Sequence, residues 1–264
     1  MSKNKLAKFA LMATYPNVFQ PEIKRFDLTS GPCESDFALR GKWASDYFQN
    51  TNPIVIELGC GHGDYAVGLA RRFPEKNFIG VDIKGARMYS GAKESLESGL
   101  KNVAFLRTRI ELISLFFASD EVSEIWITFP DPQMKKRNKR LTSSGFLKQY
   151  ARFLRTDGVI HLKTDSNFLY TYTMQLLEKN GIEPELKSDD LYESPVTDGE
   201  QQEMLTSIQT HYEKQWLERG LSIKYVRFRP LRPGTDYEEP EEEIEFDEYR
   251  SYGREKRTPQ STGK

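Results

Sequence analysis

The 264-residue sequence has few cysteines and no long apolar run. Its two cysteines, Cys33 and Cys60, have neither metal-ligand spacing nor the pattern of a disulfide framework, which fits a reducing environment. No stretch is long and apolar enough to cross a bilayer, and residues 1–19 lack the apolar core of a signal peptide. These absences predict a cytoplasmic protein without a membrane anchor.

Histidine is also scarce, and none of the three, His62, His161 and His211, has the spacing of metal ligands. We therefore assign no metal. Hydrophobic residues make up 38% of the chain and charged residues 29%, which suits one large domain with extensions outside its core. We expect residues 1–50 to form an N-terminal extension, with a helix over 35–48 that Ser35 caps.

The net charge of −1 conceals an uneven distribution. Residues 231–264 contain six basic and ten acidic residues, so that this region carries −4 and the remainder +3. We expect residues 231–264 to be a solvated, disordered acidic tail. The alternative is a segment that competes with a polyanion for the basic surface.

Between residues 53 and 230, apolar strands alternate with amphipathic helices. Unbroken apolar strands in such an alternation predict a parallel sheet that is covered by helices on both faces. The predicted strands are 53–58, 77–83, 102–107, 124–129 and 158–164, and an alternating segment at 221–230 predicts an edge strand. The predicted helices are 64–72, 85–98, 143–155, 166–179 and 211–220.

The stretch "ELGCGHGDY" (57–65) places glycines between the first strand and the first helix of this alternation. Glycine allows a tight turn and close approach of a ligand, and the helix start offers unpaired N–H groups. The spacing differs from the dinucleotide motif, and Glu57 would repel a pyrophosphate. Together with Asp82, at the end of the second strand, this turn resembles the S-adenosyl-L-methionine site of class I methyltransferases. The alternative is that the glycines serve packing alone.

The stretch "TFPDPQMKKRNKR" (128–140) places Asp131 between two prolines at a strand end, followed by five basic residues out of six. Prolines fix φ on both sides and would make a stiff support for the carboxylate, although the pattern also suits an ordinary turn. The basic residues beside a ligand-binding strand end predict contacts with RNA phosphates, although such runs also form solvated loops. The predicted phosphate contacts are Lys136, Arg137, Lys139 and Arg140.

Here the likeness to one family becomes specific. "FPDPQMKKRNKRL" (129–141) is similar to the F-P-D-P-W-x-K-x-R-H-x-K-R-R signature of the bacterial tRNA (guanine-N7)-methyltransferases. "ELGCGHG" resembles the cofactor turn of that family, 146–165 its segment ending in Thr-Asp, and "THYE" (210–213) its T-x-[FY]-E motif. The resemblance covers about residues 53–228, in the right order.

The resemblance implies a Rossmann-like class I methyltransferase domain over 51–230, with a mostly parallel seven-stranded sheet and an antiparallel edge strand. It implies transfer of a methyl group from S-adenosyl-L-methionine to N7 of guanine 46 in the variable loop of tRNA, with S-adenosylhomocysteine as product. No protein partner is required, and the chain would act as a monomer or homodimer. The implied catalytic residue is Asp131. The implied cofactor-binding residues are Glu57, Gly59, Gly61, Asp82, Arg109, Ile110 and Asp131. The implied substrate-binding residues are Lys135, Asp165, Thr210, His211, Tyr212 and Glu213.

The sequence departs from the family pattern at three places. Gln133 stands where the family usually has Trp, and Asn138 where it usually has His. At the end of the third strand, where an Asp or Asn followed by Ala usually faces the adenine, the chain has Arg109-Ile110-Glu111. The backbone N–H of Ile110 and the carboxylate of Glu111 are the groups available there for the adenine ring.

Two other functions remain open from the sequence. A methyltransferase acting on an exocyclic amine carries an Asn/Asp-Pro-Pro-aromatic motif where this chain has "FPDP". An RNA-binding protein whose active site has lapsed would explain the altered Arg109-Ile110 pair. The basic block after Asp131 favours a methyltransferase that acts on structured RNA.

Overall fold

The computed structural model of the chain describes residues 3–21 and 36–250, and its centre is an eight-stranded sheet. The strands are β1 (Val18–Phe19), β2 (Ile54–Leu58), β3 (Asn77–Asp82), β4 (Val103–Arg107), β5 (Val122–Thr128), β6 (Leu154–Thr164), β7 (Leu186–Ser188) and β8 (Lys224–Phe228). Their spatial order is β1-β4-β3-β2-β5-β6-β8-β7. All five parallel strands that the apolar runs predicted are present.

The sheet has one strand more than predicted, because the N-terminal segment adds β1 alongside β4, in parallel. The antiparallel strand was also misplaced. β8 pairs antiparallel with β6 but is not at the edge, because β7 pairs with its other side. The three-residue β7 is too short and too polar to show as a strand in the sequence.

Helices cover both faces of the sheet. They are α1 (Lys3–Met12), α2 (Asp64–Arg72), α3 (Gly85–Glu97), α4 (Ser144–Tyr150), α5 (Asn167–Lys179), α6 (Gly199–Ser207) and α7 (His211–Glu218). Alternate strand residues supply the two cores: Ile56 and Ile125 contribute to one, and Val55 and Trp126 to the other. This alternation is the reason that the strands read as unbroken apolar runs. Within residues 3–21 and 36–250, no helix is long and apolar enough to span a membrane.

The helix predicted over 35–48 is wrong. The described part contains only one π-helical turn, Trp43–Tyr47, and Ser35 lies outside the described residues. Gly41 has φ +79°, and the carboxylate of Glu121 accepts hydrogen bonds from the backbone N–H groups of Gly41 and Trp43. These long-range contacts replace helical hydrogen bonds. The buried Trp43 ring then donates to the Phe116 carbonyl at 2.9 Å.

The acidic tail predicted over 231–264 is only partly solvated. Its first part, up to Tyr249, packs against the body of the protein, whereas 251–264 lie outside the described residues. Glu239 accepts hydrogen bonds from the Ser144 and Tyr172 hydroxyls, at 2.6 and 2.7 Å. Asp247 is 6% exposed and accepts from the Phe168 N–H. These acidic side chains are stabilised by donors at the starts of α4 and α5, which composition alone does not reveal.

Candidate active site

A cleft of about 500 Å³ lies at the carboxyl ends of β2, β3 and β5. Open α/β sheets bind ligands at this edge of the sheet. The cleft brings together elements that are far apart in the sequence, including the glycine turn, the end of β5 and the start of α7. Its walls contain the predicted site residues Gly59, Gly61, Asp82, Ile110, Asp131, Lys139, Thr210 and Tyr212. The other predicted residues do not line it.

The glycine turn needs its glycines for two different reasons. Gly59, Gly61 and Gly63 all have positive φ, at +79°, +54° and +81°, a conformation that other residues rarely adopt. A Cβ on Gly63 would come within 2.7 Å of Phe105, so this glycine is required for packing. A Cβ on Gly59 would meet nothing within 4 Å. The space beside Gly59 is open to a ligand.

Asp82 joins the end of β3 to the glycine turn. Its Oδ2 accepts from the Gly61 N–H at 3.0 Å, and its Oδ1 accepts from the Lys84 N–H at 2.7 Å. Each carboxylate oxygen has a further lone pair, and the residue lines the cleft. The geometry therefore suits acceptance of two neighbouring hydroxyl groups, as on a ribose.

Glu57 lies beneath the cleft and not in its wall. Its side chain is buried, and its oxygens accept from the Thr128 hydroxyl at 2.6 Å and the Ala66 N–H at 3.0 Å. Burial raises the pKa of Glu57 to about 8, although both hydrogen bonds act in the opposite direction. Glu57 thus links β5 to the first turn of α2, and its contact with the cofactor stays a prediction.

The Pro-Asp-Pro stretch forms a rigid, partly strained turn at the end of β5. Phe129 and Gln133, which flank it, both have φ of +48°, a conformation that costs about 1–3 kcal/mol per non-glycine residue. Asp131 is exposed at the cleft, and its Oδ1 accepts from the Gln133 N–H at 3.0 Å. Backbone geometry on both sides therefore fixes where the carboxylate lies.

The residues that follow the third predicted strand, Arg109, Ile110 and Glu111, differ from the family pattern. Ile110 lines the cleft, whereas Glu111 lies 2.6 Å from Lys139 and 3.6 Å from Arg109. Burial alone would raise the pKa of Glu111, but the Lys139 ammonium and the Arg109 guanidinium outweigh it and lower the pKa. Glu111 therefore ties the basic loop to this strand end, and Arg109 points to it rather than to the cleft wall.

The basic loop contains both exposed and buried side chains. Lys135, Lys136 and Arg137 are exposed, as a phosphate-binding role requires. Arg140 is only 8% exposed, and its guanidinium lies 4.6 Å from the ring of Phe168 and donates to two backbone carbonyls. Arg140 stabilises the loop from inside, and its phosphate contact stays a prediction.

Helix α7 places part of the "THYE" motif at the cleft. The Thr210 hydroxyl caps the helix by accepting from the Glu213 N–H at 3.1 Å, and the Tyr212 ring lies 5.7 Å from the Arg87 guanidinium. The His211 N–H donates to the Asp64 carboxylate at 3.0 Å, which joins the starts of α7 and α2. The cap and this link set the helix start against the cleft.

Glu213 faces away from the cleft, into the protein. Its Oε1 lies 2.6 Å from the Lys163 ammonium, and neither side chain is exposed. Lys163 also donates to the Leu205 carbonyl, and Glu213 accepts from the Tyr192 hydroxyl at 2.9 Å. Burial lowers the pKa of Lys163 and raises that of Glu213. Glu213 therefore anchors α7 to β6, and its predicted substrate contact stays a prediction.

Asp165, at the end of β6, is covered by the C-terminal residues. It is 1% exposed, and its Oδ2 accepts from the Tyr249 hydroxyl at 2.7 Å. The Tyr249 ring lies 5.5 Å from that of Trp216, which lines the cleft. The Asp165 carboxylate is thus engaged by the chain itself, and its substrate contact stays a prediction.

A second cavity, of about 320 Å³, lies between α2, α6 and the sheet. Its wall contains Trp126 stacked on His161 at 3.8 Å, and burial lowers the pKa of His161 to about 3. Lys76 in this wall lies 2.6 Å from Glu124. The cavity contains neither the glycine turn nor Asp131. In the described part of the chain, no cluster of His, Cys, Asp and Glu could hold a metal ion.

Comparison with known proteins shows which family the chain resembles. Residues 51–226 match a family model described as "Putative methyltransferase". A tRNA (guanine-N(7)-)-methyltransferase of Bacteroides fragilis is 55% identical over 264 residues, covering 100% of both chains. One of the same name from Porphyromonas gingivalis is 57% identical over 94% of this chain and 98% of its own.

The chain belongs to the tRNA (guanine-N(7)-)-methyltransferase family. Membership extends to distant relatives, such as one from Clostridium novyi that is 34% identical over 71% of this chain and 85% of its own. The resemblance drawn from the Pro-Asp-Pro signature is confirmed, as is the assignment of the chain as a methyltransferase.

Solved structures confirm the class I methyltransferase fold. The 16S rRNA methyltransferase KamB is 14% identical with a TM-score of 0.52, covering 71% of this chain and 91% of its own. An antibiotic-related methyltransferase is 16% identical with a TM-score of 0.51, covering 71% and 92%. At these identities the likeness concerns the fold alone.

Three residues in or behind the cleft wall were not singled out from the sequence. Lys163 could have been, since a lysine inside the apolar run "GVIHLKT" predicts a buried partner. Trp216 follows the "THYE" motif by one helical turn, which is a weak signal. Tyr249 lies in the acidic tail, and nothing in its surroundings indicates a contact with Asp165.

Proposed function

We propose that this protein transfers a methyl group from S-adenosyl-L-methionine to N7 of guanine 46 in the variable loop of tRNA. The observation that carries the proposal is one cleft whose wall contains the glycine turn, Asp82 and Asp131. The relatives named tRNA (guanine-N(7)-)-methyltransferase support the choice of substrate and of ring nitrogen. Because the substrate is tRNA, the reaction would take place in the cytoplasm.

The residues along β2, β3 and the strand end at Ile110 suit the methyl donor. The open space at Gly59 and Gly61 admits a ligand close to the backbone, Asp82 would accept from the ribose hydroxyls, and Ile110 would lie against the adenine. When bound, S-adenosyl-L-methionine supplies an electrophilic methyl carbon and leaves as S-adenosylhomocysteine. Glu57 contributes indirectly, by holding Thr128 and the start of α2.

Asp131 would act on the other side of the cleft, on the guanine. N7 of guanine has a free lone pair and no proton to lose, so the reaction needs little base catalysis and depends on positioning. The ring becomes cationic as the methyl group is added. A carboxylate fixed beside it stabilises that charge without reorganisation, and the strained turn around Asp131 provides this fixed position.

The exposed cations of the basic loop would hold the RNA backbone. Lys135, Lys136 and Arg137 are exposed, and Lys139 lies at the cleft margin beside Glu111. Phosphate contacts of this kind set orientation without reading sequence. The choice of guanine would then depend on groups inside the cleft.

The test is a methyl-transfer assay with unmodified tRNA and labelled S-adenosyl-L-methionine, followed by nucleoside analysis. We expect label in N7-methylguanosine with the wild type and a loss of at least about 100-fold in kcat with Asp131→Asn, which removes about 3 kcal/mol of charge stabilisation. Asp189→Asn is the matched control, because this exposed carboxylate lies outside the cleft wall. It should leave kcat unchanged.

Other outcomes would contradict the proposal in distinguishable ways. Label in a methylated exocyclic amine would identify an amino-methyltransferase. Binding of tRNA without transfer would identify a lapsed enzyme that retains its RNA-binding surface. Normal turnover by Asp131→Asn would remove this residue from the catalytic machinery but leave the assignment of the substrate intact. A guanine-to-adenine change at position 46 of the tRNA should abolish labelling.

A further inference from the structure

The C-terminal residues 236–249, here called the C-terminal segment, pack against the body of the protein. Asp247 is 6% exposed and accepts from the Ser166 hydroxyl and from the Phe168 N–H, at the start of α5. Phe246 packs edge-on against Phe168, with 5.4 Å between ring centroids. Buried, charge-assisted contacts at a helix start are expensive to break. The segment therefore has a fixed path beside the end of β6.

This path brings Tyr249 to the rear of the cleft. Its hydroxyl donates to Asp165 at 2.7 Å, and its ring meets that of Trp216 at 72° and 5.5 Å. Edge-to-face contacts of this kind contribute about 0.5–1.5 kcal/mol beyond their burial. The Arg219 guanidinium lies 4.8 Å from the Trp216 ring and 5.8 Å from the Tyr249 ring. Two contacts thus set the angle of the Trp216 ring.

Trp216 lies where a target base would need support. It is partly exposed and lines the same cleft wall as Asp131, Thr210 and Tyr212. Bases bind to proteins by stacking on aromatic rings, and tryptophan has the largest face. The other two tryptophans, Trp43 and Trp126, are buried, at 0% and 2% exposure, and cannot take this role.

We propose that Trp216 is the stacking surface for the target guanine and that Tyr249, from the C-terminal segment, is the positioning residue that holds Trp216 in place. This inference rests on the function proposed above. It also explains the buried position of Asp165. The Asp165 carboxylate accepts from the Tyr249 hydroxyl and so fixes the Tyr249 ring against that of Trp216. The acidic side chains of Glu239 and Asp247 attach the segment, whereas its aromatic end serves the site.

The first measurement compares KM for tRNA and KM for S-adenosyl-L-methionine. Trp216→Leu should raise KM for tRNA by roughly fivefold to 150-fold, which corresponds to about 1–3 kcal/mol of stacking. KM for the methyl donor should stay within about twofold. Trp216→Phe keeps a ring and should recover most of the loss. A loss of folding stability alone would not raise KM for tRNA while leaving KM for the methyl donor unchanged. It would also not explain why Trp216→Phe recovers the affinity for tRNA.

The second measurement tests whether Tyr249 acts through Trp216. Tyr249→Leu should raise KM for tRNA in the same direction, and the double variant with Trp216→Leu should be no worse than Trp216→Leu alone. Tyr237→Leu is the matched control: this tyrosine is in the same segment, its hydroxyl accepts from the Leu231 N–H at 2.7 Å, and it does not line the cleft. It should leave KM for tRNA unchanged.

The outcomes separate the two proposals. If the wild type methylates no tRNA, the proposed function fails. If the wild type is active and Trp216→Leu keeps the wild-type KM for tRNA, the stacking role is wrong. Additive effects of Trp216→Leu and Tyr249→Leu would overturn the positioning role of Tyr249. A fluorescence titration gives an independent check, because quenching on tRNA binding should be lost in Trp216→Phe.

Discussion

The buried ion pair between Lys163 and Glu213 offers the most direct test of how α7 is held at the cleft. Replacing Lys163 by Met keeps an unbranched side chain, one heavy atom shorter, but removes the charge. The Glu213 carboxylate would then be left inside the protein with the Tyr192 hydroxyl as its remaining side-chain partner among the described residues. The Leu205 carbonyl would lose the donor that Lys163 provides.

The expected cost follows from this complete burial. Removing one partner of a buried pair typically costs about 3–5 kcal/mol, because the other charge stays uncompensated. For a chain of this size, such a loss lowers Tm by roughly 6–10 °C. Burial already raises the pKa of Glu213, so protonation would relieve part of the penalty. The cost of Lys163→Met should therefore be smaller at pH 6 than at pH 8.

The assay is denaturant unfolding at both pH values, with two comparisons. The double variant Lys163→Met/Glu213→Gln should regain most of the loss, since no buried charge remains. Lys76→Met is the control: Lys76 lies 2.6 Å from Glu124, the same separation, but these side chains are 28% and 21% exposed. Its cost should be about 1 kcal/mol or less.

Two results would refute parts of this reasoning. If Lys163→Met costs no more than Lys76→Met, burial of the pair does not govern the attachment of α7. If the cost is large but KM for tRNA is unchanged at a temperature where the variant is folded, the pair stabilises the fold without positioning Thr210 and Tyr212 at the cleft.

Three further predictions concern the site and its surroundings. Burial raises the pKa of Glu57 to about 8, whereas the same group in the unfolded chain titrates near 4.5. Between these pH values the folded state binds a proton that the unfolded chain has released. Glu57 therefore stabilises the fold at low pH, and this contribution is lost as the pH rises to about 8. Glu57→Gln should flatten the fall in unfolding free energy between pH 6 and 8, and an unchanged slope would contradict the assignment. Replacing Lys136, Arg137 and Lys139 by Gln should reduce the slope of log K for tRNA against log salt by about 2–3, as measured by filter binding, and a slope equal to that of the wild type would exclude phosphate contacts. Arg140→Met should instead destabilise the fold by about 2–4 kcal/mol with little effect on that slope, because its guanidinium lies between aromatic rings and donates to two carbonyls.

The parallel sheet could be read from the sequence because its strands are buried on both faces. Such strands have no polar alternation, and their apolar runs end at glycines, at Asp82 or at Pro130. The strands β1 and β7 could not be predicted from the sequence, because two or three residues are too few to show an alternation of apolar and polar side chains. The predicted helix at 35–48 failed because the distant Glu121 takes the N–H groups of that segment.

The cleft was predicted well where backbone geometry defines it. The glycine turn, Asp82 and the Pro-Asp-Pro stretch are local patterns with local causes, and all three lie in its wall. The direction of single side chains was predicted less well. Glu213 and Arg140 belong to the right motifs but point inward, and only the packing of neighbouring helices and rings determines this.

The order of apolar strands and the family signature were fixed in the sequence, because each depends on residues close together in the chain. Only the tertiary structure decided which charges are buried in pairs and which stay exposed. It also decided that the acidic C-terminal segment turns back to place Tyr249 between Asp165 and Trp216. Contacts between residues so far apart depend on the three-dimensional path of the chain, and no local pattern encodes that path.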